Sequence, residues 1–366
     1  MKYGTYIPNR LDEGYGLNEE AIREIASEGY NLMITVDCGI TAVKEVELAK
    51  SLGIDVIITD HHEVPEELPK ATAIVDAKRK DNEYPFNGLA GCGVAFKLTQ
   101  ALSIKLNLNE NEWLKYIDIA CIGTISDIVP LIDENRVIAK LGLMLVEVTK
   151  NVGLKTLISM VGAKKIDSSF ISFGISPRIN ACGRMGHQED ALELFLTNDP
   201  IEARNLAIKL EEYNRQRQDI EKKIYNEALE LISKEKDEPC IVLGKDGWHH
   251  GVIGIVSSKI TEITYKPSIL ICFEGENSKG SGRSIPGFDI HDAVYNCREF
   301  LTACGGHSMA IGLSLKTANF EAFRNAIENY AKTKNIENLE PELLIDEELS
   351  LIHISEPTRL QLIWFS

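Results

Sequence analysis

The sequence predicts an α/β protein in which a parallel-sheet domain is joined by a long helix to a smaller α/β domain. Over residues 18–78, short apolar runs alternate with helix-length amphipathic segments. That repeat calls for βαβ units, a parallel sheet and right-handed crossovers. From Ile201 to about Lys236 there is no Pro or Gly, and Leu206, Leu210, Tyr213, Ile220, Ile224, Ala228 and Leu231 form one stripe. After Pro239 strand-like and helix-like segments resume.

The elements follow in order. Asn18 to Glu28 places Ile22, Ile25 and Ala26 on one face with Gly29 just beyond, the pattern of an amphipathic helix with a glycine stop. LMITVDCG (32–39) reads as a strand, and Thr41 to Leu52 as a helix with Val43, Val46 and Ala49 inward. Gly53 leads into VIITDHH (56–62), a β-branched run, and TAIVDAK (72–78) supplies a third strand. The long helix would extend ~50 Å at 1.5 Å per residue, enough for a strut. In the second domain CIVLG (240–244) and SILICF (268–273) are strands, and VIGIVSSKITEI (252–263) is helical. The expected organisation is 1–187 for the first domain, 188–238 for the connecting helical segment, 239–335 for the second domain and 336–366 for a tail.

Composition narrows the function classes. With 366 residues, 44% hydrophobic and 26% charged, the chain is an ordinary soluble protein. It has no run approaching the ~20 apolar residues of a membrane span and no signal-peptide pattern, so cytoplasm is expected, with no membrane partner. Its eight cysteines form no CxxC pair, which points to reduced, mostly buried thiols. A net charge of −16 argues against a broad nucleic-acid footprint. Any polyanion site must be local, built from a few arginines and metal ions.

Three strands end in aspartates: Asp37, Asp60 and Asp76. Ligands of open α/β sheets bind beyond the carboxyl ends of strands, so carboxylates there converge on one crevice. His61 and His62 follow Asp60, and neighbours on an extended segment point to opposite sides, so the two cannot easily share one job. Asp76, followed by AKRKDN, reads as an ordinary polar loop residue. Asp127 lies inside the apolar segment IACIGTISDIVPL, where a carboxylate must be hydrogen-bonded to nearby backbone or held by a cation. With Asp37, Asp60 and His61 it makes an O,N-rich set suited to Mn²⁺ or Mg²⁺.

Two glycine-rich stretches, SKGSGRSIPG (278–287) and CGGHSMAIG (304–312), could bring backbone amides close to an anion, with Arg283, Ser284 and His307 beside them; tight turns are the alternative. SPRINACGRMG (176–186) contributes Arg178 and Arg184, with a solvated basic loop as its alternative.

With VDCG, DHH, GTISD, PRINACGR, GSGRS and GGH present across both domains, the chain closely resembles the RecJ-type single-strand-specific exonucleases of the DHH phosphoesterase superfamily, from residue 1 to about 348. The resemblance implies a DHH domain followed by a DHH-associated domain. It further implies a two-metal phosphodiesterase, using Mn²⁺ or Mg²⁺, that degrades single-stranded DNA from its 5′ end in repair and recombination. Carried over motif by motif, Asp37 would bridge two metals, and His61 and Asp127 would ligate the second. Asp60 would support the site and His62 would face the scissile phosphate. Arg178, Asn180 and Arg184 would hold the strand's backbone, and Arg283, Ser284, Gly305, Gly306 and His307 would grip phosphates from the second domain.

Three departures accompany the resemblance. The family's aspartate-rich first motif is expected upstream of Met1, so the chain by itself is expected to be nearly inert as a nuclease. The family's oligonucleotide-binding barrel has no room after PELLIDEELS, and Ala310, Ile311 and Gly312 stand where a second small residue is usual. LSLIHISEPTR (349–359) resembles the translation of a sequencing adapter more than an edge strand, so 349–366 is expected to carry no function. Two rival functions share the metal motifs: a DHH phosphoesterase acting on short oligonucleotides or cyclic dinucleotides, and a non-catalytic nucleic-acid scaffold. The strut and PRINACGR favour a long strand, and retention of Asp37, Asp60, His61, His62 and Asp127 speaks against a scaffold.

Overall fold

The computed structural model describes residues 3–11, 13, 14, 16–234, 238–334, 336, 339, 341 and 345. Segment 349–366, expected to be functionless, lies outside the described residues. Two compact units, Met1–Lys223 and Ile224–Ser366, divide inside one helix.

The first unit opens with the alternating pattern. Helix α1 (Glu19–Ser27) is capped by Asn18, whose side-chain oxygen accepts the Ala21 N–H at 2.8 Å. Strand β1 (Leu32–Val36), helix α2 (Val43–Ser51), strand β2 (Asp55–Thr59) and strand β3 (Ala73–Val75) follow. The sheet runs β1-β2-β3, all parallel, with Val36 beside Thr59 and Thr59 beside Val75. Ile22, Val46, Ala49, Ile54, Val56 and Ile58 are buried between the helices and the sheet. Each large aliphatic among them contributes roughly 1.5–3 kcal/mol on burial.

The rest of the unit is helical: α3 (Gly91–Lys105), α4 (Asn111–Leu114), α5 (Ile117–Ser126), α6 (Asp133–Val146), α7 (Val152–Val161), α8 (Ser168–Phe170), a π-helical turn (Ile171–Ile175), α9 (Ser176–Arg184) and α10 (Gln188–Leu196). Leu154, Leu157, Ile171, Ile175, Leu194 and Leu210 are buried in its core. SPRINACGRMG is almost entirely helix α9 and does not form the solvated basic loop that is its alternative reading. Pro177 sits in the first turn, where a missing N–H breaks no helix bond, and the Ser176 hydroxyl donates to the Ile171 carbonyl at 2.8 Å. The strut is helix α11 (Pro200–Ile232), 33 residues, which ends short of Lys236.

The second unit is a five-stranded sheet with helices α12 (His250–Thr264), α13 (Ile290–Asn296) and α14 (Phe320–Thr333). Its strands are β4 (Ile241–Asp246), β5 (Ser268–Glu274), β6 (Asn277–Arg283), β7 (Leu301–His307) and β8 (Ala310–Lys316), ordered β4-β5-β6-β8-β7. Only β4 and β5 pair in parallel.

This corrects the reading of both glycine stretches as loops. SKGSGR is the body of β6, and CGGH ends β7 against β8. Along β6, Ser278, Gly280 and Gly282 are buried while Lys279, Ser281 and Arg283 are only part-buried. A Cβ at Gly282 would stand 2.8 Å from both Ile290 and Ile311, so glycine is needed there for packing rather than for turning. Among the described residues no helix is long and apolar enough to cross a membrane.

Candidate metal centre and substrate contacts

The centre starts from two adjacent strand ends. Because Val36 is beside Thr59, the next residues, Asp37 and Asp60, leave the sheet at the same edge. Asp37 has a left-handed backbone, φ 65°, and its N–H donates to the Thr59 carbonyl at 3.0 Å. That conformation is uncommon for a residue with a side chain and is kept here by the surrounding hydrogen bonds. The Thr35 hydroxyl donates to the Cys38 carbonyl, and the Thr59 hydroxyl to the Thr35 carbonyl, both at 2.7 Å. The turn delivers the Asp37 carboxylate to the first residue of α3, where a Cβ on Gly91 would lie 2.2 Å from Asp37 Oδ1. Asp37 therefore meets the positive end of the α3 dipole.

Asp60 is 1% exposed. Its Oδ2 accepts the Ile40 N–H at 2.9 Å, and its Oδ1 accepts the His61 and His62 N–H groups at 2.8 and 3.3 Å and pairs with His62 Nδ1 at 2.7 Å. Burial pushes its carboxyl up, but the hydrogen bonds from His62, Ile40 and His61 outweigh that and hold it below the usual carboxylate range. The same bond raises the His62 pKa.

His61 faces elsewhere. Its Nε2 is 3.0 Å from Asp37 Oδ1 and 3.6 Å from Asp127 Oδ2. The bond to Asp37 raises its pKa against the opposing effect of burial, helped by Asp127. Asp127 itself departs from expectation. It is not enclosed in an apolar segment but forms the C-cap of α5, its side chain 40% exposed, because the apolar residues before it are the buried helix. It sits at the negative end of that helix, a poor place for a carboxylate unless a cation is near. Partial burial raises its pKa, with His61 opposing.

Asp37, His61 and His62 each offer a ligand atom within 4.8 Å of the others, and Asp127 adds a further oxygen beside His61. The neighbouring thiols do not compete. Burial, with smaller contributions from Asp60 and Asp37, pushes Cys38 up to about 11, and burial also pushes Cys92 up to about 11, so both stay protonated. The donor set is therefore oxygen and imidazole, which fits Mn²⁺ or Mg²⁺. A cavity of about 360 Å³ opens beside it, lined by His61, Glu63, Lys78, Asn87, Leu89 and Pro130 among others.

Asp76 is also corrected. It is 4% exposed, its Oδ1 accepts the Lys78 N–H at 2.8 Å, and its Oδ2 accepts no hydrogen bond. The polar AKRKDN sequence suggests solvent, but the chain folds back over β3 and encloses the carboxylate. Desolvation raises its pKa.

The other expected contacts fall in separate places. In the first unit, the helical spacing of α9 puts Asn180 and Arg184 on one face and Arg178 on another. Arg178 Nε is 2.5 Å from Glu211 Oε2, and its Nη1 donates to the Gly174 carbonyl. In the second unit, Arg283 Nη1 donates to the Gly282 carbonyl at 2.8 Å. The Ser284 hydroxyl is buried and donates to the Phe288 carbonyl at 2.6 Å, so its proton is committed to the fold. Gly305 and Gly306 pair with Gly312 and Ile311, and His307 is exposed, its Nδ1 accepting the Met309 N–H at 3.3 Å. Sequence reasoning missed Gly91; the signal available was the glycine-rich GLAGCG at the head of an apolar helix.

Carboxylates and paired histidines at the carboxyl edge of a parallel sheet, followed by a second mixed-sheet unit, define a DHH-type protein. Consistently, the family model for the DHH family N-terminal domain matches residues 1–124, and that for the DHHA1 domain matches residues 237–333. The chain is 44% identical over 331 residues to the single-stranded-DNA-specific exonuclease RecJ of Bacillus subtilis (strain 168), covering 89% of this chain and 41% of that one. Against its Escherichia coli (strain K12) counterpart identity is 35% over 368 residues, with 94% and 63% covered. A crystal structure of exonuclease RecJ bound to manganese superposes with a TM-score of 0.80 at 35% identity, covering 91% of this chain and 84% of that one. The Thermus thermophilus RecJ in complex with Mn²⁺ gives 0.81 at 34%, covering 93% and 51%. The chain belongs to the RecJ family. It spans 41% and 63% of the two curated relatives described.

Proposed function

We propose that this chain carries the core of a metal-dependent exonuclease specific for single-stranded DNA, as its relatives are named, and that it removes nucleotides from the 5′ end in repair and recombination. The observation that carries the reading is that Asp37 and Asp127 both approach His61 Nε2, at 3.0 and 3.6 Å, from the ends of β1 and α5, with His62 alongside. Two carboxylates and a helix's negative end meet there around a histidine, an arrangement that attracts a divalent cation. Mn²⁺ or Mg²⁺ bound there would supply charge stabilisation and water activation.

The protein's own groups divide the remaining work. Asp37, His61 and Asp127 hold the ion. Asp60 fixes His62 through Nδ1, which leaves Nε2 to face a substrate phosphoryl oxygen, and the raised pKa favours the protonated ring that donates there. On α9, Asn180 and Arg184 would track the strand's backbone, with Arg178 held in place by Glu211. In the second unit Arg283, His307 and the backbone around Gly305 and Gly306 would take phosphates. Ser284 contributes by fixing the turn after β6 rather than by donating its hydroxyl.

The test is Mn²⁺ titration of the 366-residue chain by calorimetry, together with nucleotide release from 5′-labelled single strand, duplex and dinucleotide. His61→Ala should lower Mn²⁺ affinity at least about tenfold and remove whatever turnover the parent shows, which should be confined to the single strand. Equal Mn²⁺ binding by parent and His61→Ala would overturn the assignment, and preference for the dinucleotide would favour the short-oligonucleotide activity.

A further inference from the structure

Two apolar side chains stand in solvent beside the metal centre. Among the described residues Ile128 is the most exposed large apolar residue, at 89%, and Phe173 is 82% exposed. Ile128 directly follows Asp127 at the end of α5, and its backbone is left-handed, φ 60°. For a β-branched residue that conformation is an outlier, and glycine is the usual choice at this place after a helix. Phe173 lies in the middle of the π-helical turn that leads into α9. Such turns are rare and are frequent at functional sites. The turn packs on α5, and the side-chain oxygens of Ser126 and Ser176 lie 2.5 Å apart, so it is anchored next to Asp127.

A single exposed apolar side chain is ordinary. Here each of the two coincides with an unfavourable backbone choice, one a left-handed isoleucine and the other a π turn. The fold gains nothing from the exposed side chains, and backbone strain of this kind gathers where a ligand is held. The neighbours narrow the ligand. Arg178, fixed by its Nη1 bond to the Gly174 carbonyl at 2.6 Å, and Arg184 follow Phe173 on α9. An exposed ring and an aliphatic group beside a cation site and arginines match a nucleotide chain, whose bases offer π-faces and whose phosphates are anionic.

We propose that Phe173 and Ile128 hold the bases of a strand whose phosphate lies at the metal centre, one base stacking on the Phe173 ring while Ile128 packs against base or sugar carbon. The proposal rests on the single-strand reading of that centre. It adds a contact that depends on the bases being present but not on which they are, because every base has a π-face. A strand in place would cover both side chains and offset the cost of the left-handed Ile128.

An abasic strand separates base contacts from phosphate contacts. Fluorescence anisotropy follows binding of 3′-labelled oligothymidine, and of the same strand with abasic sugars in its 5′ half, to the 366-residue chain in Mn²⁺, beside Mn²⁺ calorimetry. The parent should bind the full strand about tenfold more tightly than the abasic one, the worth of one stacked base. Phe173→Ala should remove that difference, leaving the abasic strand's affinity and the Mn²⁺ isotherm unchanged, and Phe173→Tyr should restore it. Ile128→Gly should weaken the full strand by a smaller factor yet melt no lower than the parent, since relief of the left-handed strain offsets the freedom glycine has when unfolded. Equal affinity of the parent for the two strands, or a parent-like difference in Phe173→Ala, would overturn the base contact and leave the metal centre standing. Binding of neither strand would overturn the single-strand reading along with it. A lower melting temperature in Ile128→Gly would make that side chain structural and remove it from the proposal. Self-association of the parent that Phe173→Ala abolishes, read by sedimentation, would overturn the proposal by giving the surface to a second copy of the chain.

Discussion

The first and second units both carry glycine-marked motifs, and their glycines do different work. Gly91 makes room for the Asp37 carboxylate of the proposed metal centre, whereas Gly282 makes room for Ile290 and Ile311. Around Gly91 the polar groups point at one another and at open space. Around Gly282 they are spent on the sheet, and the nearby Ser284 hydroxyl is bound to a carbonyl. The same residue type at a motif therefore signals a site in one unit and a packed strand in the other. What separates them is the neighbour across the gap.

The sharpest break of this comparison is one substitution made in each unit. Gly91→Ala puts a methyl group where Asp37 Oδ1 now lies, so the carboxylate must move. Mn²⁺ affinity should fall by about a hundredfold, the upper range for disturbing a ligand's support, and the melting temperature should fall with it, because the new methyl also meets Asp37 Cβ at 2.6 Å; calorimetry and a melting curve read the two. Parent-like affinity would show that Asp37 has room to spare.

A smaller effect is expected from Asp60→Asn. Whichever way the amide faces, its NH₂ meets an N–H that Asp60 now accepts, so stability should drop by about 3 kcal/mol in urea unfolding. The pH dependence has a definite sign. The folded carboxyl is held below its unfolded value, so its contribution is present above an unfolded pKa of about 3.9 and is lost as pH falls through the folded value. The His62 ring is raised instead, so its share is full below about 6.5 and fades as pH climbs through the folded value. Asp60→Asn should flatten both limbs of the stability profile, and a profile identical to the parent's would sever Asp60 from His62.

Gly282→Ala should have the smallest effect, a loss of about 1–3 kcal/mol from overpacking against Ile290 and Ile311, with Mn²⁺ affinity unchanged. Together with Gly91→Ala it forms a pair in which both variants cost stability and only Gly91→Ala moves the ion. If Gly282→Ala also lowered Mn²⁺ affinity, the distinction between the units would fail.

How far the sequence can be read follows the same division. The ends of β1 and β2 are legible because a β-branched run followed by a polar residue marks the strand's exit, and the two strands are neighbours in sequence. Asp127 is legible as special but not in its surroundings, since an apolar run that is helical leaves its last residue uncovered. Gly91 is not legible because its reason is the Asp37 side chain, which comes from another element. Asp76 misleads because flanking lysines say nothing about whether a loop folds back. SKGSGRS misleads because turn glycines and strand glycines share a composition. The clue is the period of two, with Ser278, Gly280 and Gly282 all on the covered side.

The order β4-β5-β6-β8-β7 has a consequence for how the second unit is made. Strand β8 lies between β6 and β7 yet follows both along the chain, so until it arrives the two strands it will join present open edges. Such edges are where unfinished chains pair with one another. Here they are Gly280 and Gly282 on one side and Gly305 and Gly306 on the other, among the residues least inclined to extend a ladder. Glycines at those edges lower their tendency to pair with another chain.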